Sequence, residues 1–206
     1  MRLTVTTFLT LDGVMQAPGG PEEDPSDGFE HGGWSFPYPD EDFGRLVTGW
    51  FSQADAFLLG RRTYEIFAAF WPLVTDEADP VASRLNTLPK YVASRTLKSV
   101  GWQGATVLQG DVVAEVARLK EQPGRELQVH GSGDLLQTLM AQDLVNEYRL
   151  FVYPVLVGAG RRLFRAGAPP RTLRLTEQTR TSTGVAVLTY VPAGPLRTGS
   201  FELPKP

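Results

Sequence analysis

Apolar positions alternate with period two over residues 3–11, where Val5, Thr7, Leu9 and Leu11 share a face, and Asp12-Gly13 then breaks the run; this predicts a strand ending in a tight turn. Over residues 41–53 the period changes. Phe43, Leu46, Val47, Trp50 and Phe51 fall at i, i+3, i+4, i+7 and i+8, one face of a helix, with Asp40 as N-cap and Glu41 and Asp42 in the first turn. The short apolar run 56–59, closed by Gly60, predicts a buried strand, and a helix follows over 63–70 until Trp71-Pro72 ends it. Residues 76–88 read as a polar helix or loop, and 90–94 and 105–108 as strands. A helix is expected over 112–121, a strand over 126–129, and a second helix carrying Leu135, Leu136, Leu139 and Met140 after Gly131-Ser132-Gly133. A long strand over 145–157 precedes Gly158-Ala159-Gly160, and paired strands over 172–181 and 185–191 flank Ser182-Thr183-Gly184.

Strands and helices thus alternate until a final antiparallel pair. The pattern predicts an α/β fold with a mostly parallel, mixed central sheet flanked by helices on both faces. One domain is expected over residues 1–192, followed by a Pro/Gly-rich tail over 193–206. Residues 15–40 interrupt the pattern with Gly, Pro and acidic residues. A loop of that length in a compact domain is a lid or a disordered segment, and Phe29, Trp34, Phe36 and Tyr38 argue for the lid.

Composition narrows the chemistry. The 206 residues carry a net charge of −3, so the chain as a whole has no attraction for nucleic acid or an anionic membrane. The absence of Cys excludes disulfides, thiolate zinc sites and cysteine nucleophiles, and two His, His31 and His130, are too few for a His-rich metal site. No stretch has the length and apolarity of a signal peptide or membrane span, which points to the cytoplasm.

Three strand-to-helix junctions are candidates for binding an anion. Gly60-Arg61-Arg62-Thr63 opens a helix beside two guanidinium groups, which suits a phosphate; a solvated basic turn capped by Thr63 is the alternative. Ser94-Arg95-Thr96 follows a strand and suits a phosphate monoester or a plain surface turn. Gly131-Ser132-Gly133-Asp134-Leu135 would let the backbone approach a pyrophosphate, or forms a tight turn with Asp134 as a cap. A single dinucleotide needs two or three such turns at one sheet edge, and Arg61 with Ser94, Arg95 and Thr96 would favour a 2′-phosphate, hence NADPH over NADH. A classical Rossmann dehydrogenase is disfavoured because no Gly-rich turn follows the first strand.

Thr10-Leu11-Asp12-Gly13, Gly60-Arg61-Arg62-Thr63-Tyr64-Glu65, the run Lys90 through Leu97, Gly131-Ser132-Gly133 and the run Pro154 through Gly160 resemble, in this order, the RibD C-terminal domain family of the dihydrofolate-reductase-like fold. The resemblance implies a stand-alone, homodimeric, NADPH-dependent reductase acting on a pterin- or pyrimidine-like heterocycle or a carbonyl, akin to 5-amino-6-(5-phosphoribosylamino)uracil reductase of riboflavin biosynthesis. A non-catalytic nucleotide-binding protein on the same fold is the alternative. By position, Gly60 to Thr63 would meet the adenosine-side phosphates, Ser94 to Thr96 the 2′-phosphate, and Gly131 to Leu135 the pyrophosphate. Val14 would lie by the cofactor, and Thr10, Asp12, Trp34 and Tyr64 by the substrate. Riboflavin-pathway members of the family usually carry Glu where this chain has His130 and Lys where it has Val14, which implies a substrate other than that pathway's pyrimidine ribosylamine. Two carboxylates are candidates for the chemistry. Asp40 is placed to assist protonation or to cap its helix, and Asp12 to hold a substrate amine or to form the turn. Trp34, Phe36 and Trp71 would stack on a flat ring or pack the lid and core.

Overall fold

The computed structural model describes residues 1–76 and 78–201. Among them a single sheet of eight strands runs in the order β4-β3-β2-β5-β1-β6-β8-β7. Its members are β1 (Arg2–Thr10), β2 (Ala54–Gly60), β3 (Lys90–Ala93), β4 (Ala105–Val107), β5 (Glu126–His130), β6 (Glu147–Tyr153), β7 (Arg171–Arg180) and β8 (Ala186–Pro195). The first six strands pair in parallel, β8 joins β6 antiparallel, and β7 pairs antiparallel with β8 as the edge. The helices are α1 (Glu41–Phe51), α2 (Arg61–Phe70), α3 (Pro80–Thr87), α4 (Val112–Glu121) and α5 (Gly133–Ala141).

The alternation in β1 decides which residues face which layer. Leu3, Val5 and Leu9 pack with Leu127 and Val129 of β5 against Val116 and Leu119 of α4 and Leu136 and Leu139 of α5. On the opposite face Phe8 meets Phe43 of α1 and Phe151 of β6, with ring centroids 5.7 and 5.2 Å away. Phe57, Leu59 and Val92 form a further core there with Phe51, Tyr64 and Leu85. Acidic caps start three helices: Asp40 accepts from the amide of Phe43, Asp79 from those of Val81 and Ala82, and Asp111 from that of Ala114.

Several boundaries differ from the sequence expectation for visible reasons. The strand expected over 145–157 is β6, Glu147–Tyr153. It stops at Pro154, which has no amide to continue the ladder. Asn146 precedes it as an anchor, its Oδ1 accepting from the amide of Leu3 at 2.9 Å. The polar stretch 76–88 contains α3, which opens with Pro80 after the Asp79 cap. Strand β8 continues to Pro195, past the start of the expected tail, while residues 202–206 and Glu77 lie outside the described set.

The long segment 15–40 is packed. Trp34 is 8% exposed, its Nε1 donates to the carbonyl of Gln16 at 2.8 Å, and its ring lies edge-on to Tyr153. Phe29 and Ala17 are buried beside it.

Candidate functional site

All the junctions singled out in the sequence lie at the carboxyl ends of parallel strands, and hydrogen bonds tie them together. Gly60 ends β2 and its amide donates to Ser132 Oγ at 2.9 Å; the amide of Ser132 donates to Thr63 Oγ1 at 3.1 Å. The N-termini of α2 and α5 therefore stand side by side. Neither has a side-chain cap. In α5 the first helical bond is Leu136 N to the carbonyl of Ser132, so the amides of Gly133, Asp134 and Leu135 precede the hydrogen-bonded ladder. Open amides and the positive ends of two helix dipoles make this rim electropositive.

The turn itself is strained to achieve this. Gly131 and Ser132 both have φ of 58°. For Ser132 that left-handed conformation costs about 1–2 kcal/mol. The Oγ bonds to Gly60 and, as donor, to the carbonyl of His130 at 3.2 Å hold it in place. The two turns pack closely: a Cβ at Gly60 would stand 3.4 Å from that of Ser132, an ordinary van der Waals contact.

The third junction joins through Arg61, which donates from Nη1 to Thr96 Oγ1 at 2.7 Å and from Nε to Glu65 at 2.7 Å. Ser94 Oγ accepts from the amides of Thr96 and Leu97, which shapes the turn, and Arg95 between them is exposed. Guanidinium groups, hydroxyls and free amides of this kind fit a phosphorylated dinucleotide laid across the strand ends.

Other predicted site residues have different surroundings. Thr10 Oγ1 donates to Asp12 Oδ1 at 2.5 Å and accepts from the amide of Val14 at 2.9 Å. Asp12 also accepts from the amide of Gly158 at 2.8 Å, and Arg162 lies 3.7 Å away. The Thr10 hydroxyl, with the amides of Gly158 and Val157, holds its carboxyl below the usual value, so Asp12 is an ionised staple between β1 and the turn after β6. Val14 is fully buried, in one hydrophobic cluster with Phe29. Asp40 accepts from the amide of Phe43 and from the amide and hydroxyl of Thr183 in the β7–β8 turn. These bonds lower its pKa, the Phe43 amide foremost, leaving no proton to deliver at neutral pH. Tyr64 turns from the rim, its hydroxyl accepting from the amides of Gly101 and Trp102. Trp34 is packed in the lid rather than presented to a ring-shaped ligand, whereas Phe36 is exposed.

His130 ends β5, stacks on Phe51 at 4.6 Å and shares a hydrogen bond between Nε2 and Gln128 Oε1 at 3.1 Å. Burial, with Arg149 nearby, lowers its pKa to about 3, so the ring is neutral. Behind it Arg149 is buried between Glu126 and Glu147, with nitrogen–oxygen distances of 2.6 and 2.7 Å. Asp24, Arg161 and Arg165 also reach the rim. Arg165 donates to Asp134 in the first turn of α5 at 2.6 Å, and Asp24 pairs with Arg62 and Arg161. The sequence carried a signal for them: acids in the lid and a basic run after Gly158-Ala159-Gly160.

A mixed sheet in this strand order, with uncapped helix N-termini at the carboxyl rim of its parallel strands, defines an α/β protein of the dihydrofolate-reductase-like fold. Within that fold the chain belongs to the RibD C-terminal domain family, whose profile matches residues 2–187. YyaP of Bacillus subtilis (strain 168), described as uncharacterized, is 27% identical over 92% of this chain and 94% of its own. A solved protein of Shewanella sp. PV-4, provisionally named for riboflavin biosynthesis, superposes with a TM-score of 0.71 at 21% identity over 94% of this chain and 99% of that one. Dihydrofolate reductase from Enterococcus faecalis, complexed with NADP(H) and RAB-propyl, gives 0.58 at 12% identity over 93% and 96% of the two chains. No helix among the described residues is long and apolar enough to cross a membrane.

Proposed function

We propose that the chain is an NADPH-dependent reductase that passes hydride to a small heterocyclic or carbonyl substrate. The observation that carries this reading is the junction of two uncapped helix N-termini, locked by the Gly60–Ser132 and Ser132–Thr63 bonds beside Arg61 and Thr96. Gly131 to Leu135 would hold the pyrophosphate through backbone amides, Gly60 to Thr63 the adenosine-side phosphates, and Ser94, Arg95 and Thr96 the 2′-phosphate. The bound nicotinamide supplies the hydride, while the chain binds, orients and excludes water. Family membership and the NADP(H) in the Enterococcus faecalis protein support the same reading.

Because Asp12 and Asp40 are ionised and hydrogen-bonded, neither is assigned as proton donor. That observation favours one rival, a nucleotide-binding protein without turnover. Loss of reduced-nicotinamide absorbance across pterins, pyrimidines, flavins and dicarbonyls separates the two. Steady turnover with one substrate class supports the reductase; tight NADPH binding with no oxidation in any mixture supports the rival.

A homodimer is also proposed, on the face carrying edge strand β7, whose Leu175 is exposed. Sedimentation at twice the chain mass is the expected result; the chain mass at every concentration contradicts it.

A further inference from the structure

Two arginines from separate elements converge on one carboxylate oxygen. Arg62, in the first turn of α2, donates from Nη1 to Asp24 Oδ2 at 2.8 Å, and Arg161, after β6, donates from Nη2 to the same oxygen. Ser26 Oγ accepts from Nη1 of Arg161 at 2.7 Å and of Arg62 at 3.3 Å, and donates to Asp24 Oδ1 at 2.6 Å. Asp24 is 8% exposed. Asp27 also reaches Arg161 at 3.0 Å, but its side chain is 81% exposed, where water screens the pair. Two guanidinium groups thus share one inner carboxylate, the Arg161 side chain 25% exposed and that of Arg62 54%. A phosphate matches them better, with more acceptor oxygens and up to two negative charges.

This cluster adjoins the proposed phosphate rim. Arg62 lies between Arg61 and Thr63, both of which bond across the junctions. Met15 donates its amide to the carbonyl of Arg161, and its sulfur lies 3.0 Å from where a Gly133 Cβ would stand. Gln16 splints the segments: its Nε2 donates to the carbonyls of Asp24 and Ser26, and its Oε1 accepts from the amide of Arg161, each at 3.0 Å. The lid therefore straddles the N-termini of α2 and α5, tethered through Asp24.

We propose that Arg62 and Arg161 form a phosphate subsite and that Asp24 occupies it as an exchangeable internal anion. A phosphate-bearing ligand displaces the carboxylate and frees the lid around residues 20–28. The phosphate belongs either to the cofactor or to the substrate; the placement of the rim rests on the reductase reading, whereas the subsite itself rests on the arginine pair.

The test is calorimetric titration of the intact chain and its Asp24→Asn variant with inorganic pyrophosphate and, separately, NADP⁺. Removing the competing charge should tighten pyrophosphate binding on the order of tenfold, and Arg161→Met placed in the variant should abolish the gain. A parallel gain for NADP⁺ assigns the phosphate to the cofactor; a gain for pyrophosphate alone assigns it to the substrate. Limited proteolysis near residues 20–28 should rise in Asp24→Asn without ligand and in the parent chain with pyrophosphate. Unchanged or weaker pyrophosphate binding in folded Asp24→Asn overturns the proposal and leaves Asp24 a strut. Should that variant not fold, Asp24→Ser is read by the same criteria. Failure of the parent chain to bind NADP⁺ would count against the reductase reading, while the pyrophosphate arm still decides the subsite.

Discussion

Thr7 and His130 each place a polar group where burial makes it costly, and each gives a single-residue test. Thr7 Oγ1 is buried with no hydrogen-bond partner among the described residues, on the β1 face that packs against α4 and α5. Thr7→Val should raise stability by about 1 kcal/mol, read as a higher urea midpoint at unchanged m; a lower midpoint would show that the hydroxyl is satisfied. For His130 the folded pKa is about 3, against 6.5 for an unperturbed ring. As pH falls below 6.5 the unfolded chain takes up a proton that the folded ring does not. The stability is therefore complete above that value and is lost progressively toward pH 3. Ordinary carboxylates titrate mostly below about pH 5, so unfolding free energy between there and pH 6.5 should fall with acid in the parent chain. That slope should be absent in His130→Asn, and an equal slope in both would contradict a buried neutral ring. At this scale the sequence was legible only in part. Asp40 was readable as a cap from its place before an acidic, amphipathic run. Its bonds to Thr183, 143 residues away, were not readable, and they remove it from proton delivery.

Elements were most legible where one periodicity ran uninterrupted. The residues of α1 and α4 follow the helical pattern because each buries one face, and those of β1 keep the period of two although the strand is buried on both faces. Strand β6 was overextended because apolar Val155 and Val157 continue its pattern beyond Pro154, where they pack beside the lid core. The lid defeated pattern reading altogether. Its order comes from scattered anchors: Trp34 on Gln16 and Tyr153, Ser35 on the carbonyl of Pro18, and Gln16 on Asp24 and Ser26. Trp34→Ala should consequently cost about 3–5 kcal/mol, the range for a large aromatic lost from a core. The check is thermal and urea unfolding; a loss below about 1 kcal/mol, the ordinary size for a surface substitution, would mean that the segment is not packed as described.

Across the whole molecule, parallel topology turns distant motifs into neighbours. Gly60, Thr96 and Ser132 come from three separate strand ends, and the order β3-β2-β5 sets those ends side by side. The order of the motifs in the sequence pointed to this convergence, since consecutive right-handed crossovers deliver every strand end to one rim. The Asp24–Arg62–Arg161 cluster was legible only as separate charges; its convergence was not, because its members come from the lid, a helix start and a turn whose approach depends on lid packing.

In the proposed reductase this rim binds a dinucleotide through its phosphates and distinguishes the 2′-phosphate. The direct test is equilibrium titration of the parent chain and the Arg95→Ala variant with NADPH and with NADH. The variant should lose NADPH affinity on the order of tenfold or more while NADH affinity stays within twofold of the parent, roughly the scatter of a lost surface contact. Unchanged NADPH binding, or an equal loss for both nucleotides, would contradict this reading.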